Sequence, residues 1–203
     1  MIRLPKLAAA TVIVAGAWSL STGSATAHPH VWIDSEATME FKKGRLTAVH
    51  MRWSFDDLFS SFVLGEFDKN KDKKLDKAES AEVQKNAFSN LKNFNYFTHL
   101  RVDGEKVKIM AVRNFKPSVE DGKVVYRFTV DLPQPVDPNA KAVGLSVYDD
   151  TFYVDVAFAK TNAVRFQGKA PTGCSYKVTR DKKNPIYFGA VFPQLATLNC
   201  AGS

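Results

Sequence analysis

His28-Pro29-His30 places two imidazoles one residue apart, and on an extended chain side chains two apart project to the same face. Proline favours extended geometry at His28. It also removes the second-position N–H, so a copper site built from successive deprotonated backbone amides is excluded. Imidazoles with one or two carboxylates suit a borderline divalent metal such as zinc, nickel or cobalt. A second group of ligand-type residues lies further on. Asp68, Asn70, Asp72, Lys74, Asp76 and Glu79 occupy positions 1, 3, 5, 7, 9 and 12 of a twelve-residue loop with Leu75 at position 8. An EF-hand-like loop needs this alternation of hard oxygens, with a carbonyl from position 7 and a closing glutamate. Lys73 holds the position where such loops carry glycine, and its neighbouring lysines leave the segment slightly cationic.

The elements that must position these groups start with a leader. Arg3 and Lys6, the apolar stretch Leu7–Leu20 and Ala25-Thr26-Ala27 form a charged region, a short apolar region and a small-residue cleavage site in that order. Residues 1–27 read as a cleaved signal peptide, too short for a stable anchor, and cleavage would make His28 the first residue of an exported chain. Residues 28–203 then form one metal-binding domain. Loss of Arg3 and Lys6 takes the formal charge from +7 to +5, spread along the chain with no nucleic-acid stripe. Cys174 and Cys200 read as a disulfide in such a compartment. Closing that loop contributes about 3.5 kcal/mol in the chain-entropy model.

Strand signals dominate. A hairpin of 31–41 and 46–55 closes on Lys42-Lys43-Gly44, a three-residue loop that makes paired residue numbers sum to 86. That register stacks Val31, Ile33, Ala37 and Met39 on Phe55, Trp53, Val49 and Thr47, whereas a slip by one would turn Ser54, Arg52 and His50 inward. It sets His30 opposite Asp56 and His50 opposite Glu36. Asp56 thereby becomes a candidate ligand beside His28 and His30, and His99, from another segment, a fourth. His50 lies too far along the strand to join them. Residues 56–93 carry apolar residues at helical spacing, among them Leu58, Phe62 and Val83. Short strands follow at 100–102, 107–112, 124–132, 143–148, 152–158 and 164–166, with Pro133, Pro135 and Pro138 marking a loop. The expected fold is mainly β with an α-helical insertion (α+β): an antiparallel β-sandwich with an EF-hand-like helix-loop-helix after the first hairpin.

His28-Pro-His-Val-Trp-Ile-Asp34, Trp53-Ser-Phe-Asp56, the calcium-type loop, Tyr96-Phe-Thr98 and Val147-Tyr-Asp149 occur in one order over nearly all of residues 28–203. In this the chain resembles a domain-of-unknown-function family, number one thousand and seven, whose members are labelled as periplasmic components of transport systems. They are commonly encoded beside NicO-type nickel/cobalt permeases, and the zinc-uptake partner ZevA is among them. Lys73 departs from the family's loop glycine and Asp150 from the proline that commonly follows the aspartate. The resemblance implies a periplasmic zinc-, nickel- or cobalt-binding protein that exchanges its ion with an inner-membrane NicO-type permease, with no catalytic cycle. Two other readings use the same residues: a copper oxidoreductase built on the His28 amine and imidazole, and a calcium-stabilised protein-interaction module.

Overall fold

The computed structural model describes residues 29–109 and 112–200. The expected signal peptide and His28 lie outside the described residues.

The chain opens with β1 (Val31–Lys42) and β2 (Arg45–Phe55), an antiparallel hairpin. The odd-numbered residues of β1 and of Val49–Phe55 face inward as expected, but near the turn Leu46 and Ala48 are buried in place of Thr47, and the register differs. Lys43 and Gly44 both adopt positive φ, 52° and 77°, so the turn has two residues and Lys42 pairs with Arg45. Phe41 faces Leu46 and Glu40 faces Ala48, which leaves Thr47 as a bulge. Beyond it the pairs sum to 88: Met39 with Val49, Ala37 with Met51, Ser35 with Trp53, Ile33 with Phe55. The displacement from 86 is two residues, an even number, so the buried face survives while every cross-strand partner changes. Asp56 therefore falls opposite Trp32, not His30, and His50 opposite Thr38, not Glu36.

The helical insertion follows: α1 (Asp57–Phe67), α2 (Lys77–Asn86) and a 3-10 helix (Phe88–Phe97) that leaves helical geometry at Phe94–Tyr96. The remaining strands are β3 (Thr98–Val102), β4 (Glu105–Lys106), β5 (Val112–Glu120), β6 (Lys123–Val136), β7 (Val143–Val147), β8 (Val154–Phe158), β9 (Val164–Gly168), β10 (Ser175–Arg180) and β11 (Gln194–Asn199). The first sheet has the order β5-β6-β2-β1-β8, with β9 also on β1, and the second the order β10-β11-β7-β3-β4.

The second sheet is antiparallel, but the first is mixed, which corrects the expected all-antiparallel sandwich. β8 and β9 run parallel to the two halves of β1, at Val31–Ser35 and Ala37–Phe41. Parallel pairing needs a long crossover, here most of the chain, and no local pattern announces it. β6 also runs on through Pro133 and Pro135, where residues 133–135 are exposed and a missing N–H costs no buried partner. The expected strand 107–112 is not one strand. Among the described residues, strand pairing between β3 and β5 covers Glu105–Lys106, followed by a bond from the Val107 N–H to the Leu100 carbonyl at 2.8 Å, and residues 107–109 lie outside any strand.

Both sheets contribute to one core, with Ile33, Trp53, Tyr126 and Phe128 from the first and Leu100, Leu145 and Ala196 from the second. Cys174 and Cys200 are joined as a disulfide, as expected.

Candidate metal site and the loop beside it

His30 is exposed at the entry to β1. Its backbone N–H donates to the Tyr153 carbonyl at 2.9 Å, and its ring lies 4.7 Å from the Tyr153 ring at 31°. The parallel approach of β8 thus fixes the residue's backbone while the imidazole stays at the surface.

Asp56 has a different task. Its Oδ1 accepts the Phe59 N–H at 2.9 Å, capping α1, and its Oδ2 accepts the Trp32 N–H at 2.8 Å. The capping bond satisfies one of the orphan donors at the helix start. The other ties the end of β2 to β1. Both carboxylate oxygens are engaged in joining the hairpin to the helical insertion.

His99, on β3, is 7% exposed. Its Nε2 lies 3.1 Å from the Tyr148 carbonyl, and its ring stacks on Tyr148 at 3.6 Å and 3°. Burial pushes its pKa down to about 4, only partly opposed by the Tyr148 carbonyl and Asp150. This is a core imidazole, stacked and enclosed.

The two histidines meet the two ends of one loop, residues 148–153. Its organiser is Asp149, 3% exposed, whose carboxylate accepts from the Thr151 N–H and hydroxyl and from the Tyr153 and Val154 N–H groups at 2.7–3.1 Å. The sequence drew attention to Asp149 only through the Val147-Tyr-Asp149 motif. An Asp followed two residues later by Thr is the local signal for such a turn.

The calcium-type loop is wound in the expected sense. Lys71 and Lys73 both take φ of 61°, so Lys73 adopts the conformation normally left to glycine. Asp68 accepts the Asp72 and Lys73 N–H groups, Asn70 the Asp72 N–H, and Asp72 the Lys74 N–H. Asp76 and Glu79 form a capping box on α2. Glu79 Oε1 accepts the Lys69 N–H at 2.8 Å and Oε2 the Asp76 N–H at 2.9 Å. The residue types match an EF-hand loop, but both Glu79 oxygens are occupied by these N–H groups and would have to release them to bind an ion through both. Among the described residues, no cluster of three or more His, Cys, Asp or Glu side chains is arranged to hold a metal. His28 is outside that set. His50, never a candidate ligand, bonds Thr129 and Glu40, both at 2.9 Å.

These features define a β-rich, disulfide-bearing fold with an EF-hand-like insertion and, among the described residues, no helix long and apolar enough to cross a membrane. The chain belongs to the family described as "Protein of unknown function (DUF1007)", whose model matches residues 13–190. It is 32% identical over 136 residues to an uncharacterized 15.5 kDa protein of the trpE 3′ region of Spirochaeta aurantia, covering 67% of this chain and 96% of that one. An uncharacterized protein of Haemophilus influenzae is 29% identical over 143 residues, covering 69% and 67% respectively.

Proposed function

We propose that the mature protein is a periplasmic carrier of a divalent transition metal (zinc, nickel or cobalt) that exchanges its ion with a NicO-type inner-membrane permease. The observation that carries this reading is the exposed imidazole of His30, held at its backbone by Tyr153 and one residue beyond Pro29 in a His-Pro-His sequence. The Cys174–Cys200 disulfide suits an oxidising compartment. With Asp56 engaged as a cap and His99 buried, the proposed centre contracts to His28, with its α-amine, and His30. Remaining positions would be filled by solvent or by the partner that receives the ion. An incomplete, surface-exposed ligand set favours transfer over permanent retention. Calcium enters as a resident ion of the Asp68–Glu79 loop, where it would brace α1 against α2.

Isothermal titration of the correctly cleaved protein with zinc, nickel and cobalt tests this. His30→Ala lowers affinity ten-fold or more, since even outer-shell partners of ligands are worth about 10–100-fold. His50→Ala leaves affinity unchanged. Equal affinities for the wild type and His30→Ala would overturn the site.

A further inference from the structure

The outer face of the first sheet carries a polar cavity of about 670 Å³, away from the histidine terminus. Two rows of side chains frame it, because residues two apart on a strand share a face. One row runs Thr38, His50, Thr129 across β1, β2 and β6, and the next runs Glu36, Arg52, Arg127. Arg165 of β9 and Asn114 of β5 complete the lining from the flanking strands. We propose that this cavity binds a small oxyanion of two or more negative charges, presented as carboxylate or phosphate oxygens.

Two observations lead there. The first is an excess of cations. Among the described residues, the lining holds three guanidiniums and one carboxylate, that of Glu36. Glu36 is shared: it accepts from Arg52 Nη1 at 2.8 Å and pairs with Arg165 Nη2 at 3.1 Å. Glu120, which accepts from Arg52 Nη2 and Arg127 Nη2 at 2.9 Å each, stands outside the lining. One chain of ion pairs thus joins three guanidiniums through two carboxylates and keeps a positive charge over. The second is how the cations are placed. Arg52 and Arg127 are direct cross-strand partners, and Lys116 of β5 is the direct partner of Arg127. Like charges directly opposite each other destabilise a sheet, and Glu120 offsets only part of three in a row. Beside this row β5 takes in one extra residue between Arg113 and Lys116, and Asn114 there adopts a φ of 56°. Bulges re-aim side chains next to sites, and here Asn114 joins the lining. Thr38, Thr129 and Asn114 are neutral groups that can each donate a hydrogen bond. Guanidinium forks pair with carboxylate or phosphate oxygens through two bonds at once. A cation would meet three like charges, and an apolar ligand would cover the donors without giving them acceptors.

Isothermal titration of the metal-free mature protein with citrate and, separately, inorganic phosphate tests the proposal. Sodium chloride at about 0.15 M screens the long-range attraction of exposed charges. At least one probe saturates with a dissociation constant of about 1 mM or tighter. Saturation by both supports a general oxyanion site; by citrate alone, a carboxylate ligand; by phosphate alone, a phosphate ligand. Arg165→Gln, at an exposed position, lowers that affinity about five-fold or more, while the thermal midpoint stays near that of the wild type. Arg180→Gln, which removes an exposed cation from β10 in the other sheet, leaves it unchanged. Saturation by neither probe would overturn the proposal, as would an Arg165→Gln affinity equal to that of the wild type. A matching loss in Arg180→Gln would overturn it too, since the anion would then follow net charge alone. No metal is present in these titrations, so this site and the His30 site can fail independently.

Discussion

The loop 148–153 carries a histidine–tyrosine stack at each end, and the two have opposite characters. At the inner end His99 lies flat on Tyr148 with its Nε2 against the Tyr148 carbonyl, in a buried site. At the outer end His30 tilts against Tyr153 and leaves its imidazole in solvent. The same pair of residue types thus yields a core element in one place and a chemically available group in the other. Burial decides between them, because a desolvated imidazole resists both protonation and access by a metal.

The largest effect is expected where the two stacks are joined. Asp149→Ala removes a buried carboxylate that receives four hydrogen bonds, and leaves the Tyr153 N–H only the Thr151 hydroxyl at 3.4 Å. Bonds to a charged acceptor are worth roughly 1.5–3 kcal/mol each and are not additive, so a loss of about 3 kcal/mol in urea denaturation is expected. A loss under about 1 kcal/mol would break the comparison, since the two stacks would then not depend on one anchor.

Acid separates the two ends next. The His99 pKa is about 4 in the fold and near 6.5 when the chain is unfolded. Its stabilising contribution is complete above pH 6.5, where both states are neutral. It is lost progressively as pH falls toward 4, where the unfolded chain takes the proton first. That difference corresponds to about 3 kcal/mol. His99→Gln should flatten the dependence in this window, as read by denaturation at several pH values. Glu120, held down to about 2 chiefly by its hydrogen bond to Arg127 and also by Arg52, acts in a separate window. Its contribution is complete above about 4.5 and falls away only below that. A wild-type profile flat between pH 6.5 and 4 would mean that the inner imidazole is more solvated than its stack implies.

The sequence displayed one side of this contrast better than the other. Alternation of Ile33, Ala37 and Met39 with polar residues identified the buried face of the hairpin, and it survived a two-residue error in register. That error came from the turn: Lys42-Lys43-Gly44 fits a three-residue loop, but the fold uses Lys43-Gly44 and spends a residue at Thr47 instead. Asp56 moved from candidate ligand to helix cap as a direct result, though an Asp just before an apolar helical run is itself a cap signal. The winding of the Asp68–Glu79 loop was legible because it is local. The burial of His99, the parallel placement of β8 and β9, and the Arg52–Arg127 pairing were not. Each depends on segments far apart in the chain, whose meeting leaves no trace in spacing. The strands β10 and β11 escaped for a further reason: Ser175–Arg180 and Gln194–Asn199 have too few alternating apolar residues to stand out beside their Gly- and Pro-rich surroundings.

His30→Ala should change folding stability by no more than about 0.5 kcal/mol, as exposed substitutions away from caps and cores do. The bond that positions the residue runs from its backbone N–H to the Tyr153 carbonyl, and alanine keeps it. What is lost is a tilted ring contact at 4.7 Å, open to solvent on its other face. Thermal denaturation of metal-free wild type and variant should therefore nearly coincide, although the same substitution is expected to cost ten-fold or more in metal affinity. A group whose removal spares the fold but weakens binding ten-fold or more is available for chemistry. If the metal-free variant instead melted well below the wild type, the outer stack would be structural like the inner one, and the reading of His30 as a ligand would lose its physical basis.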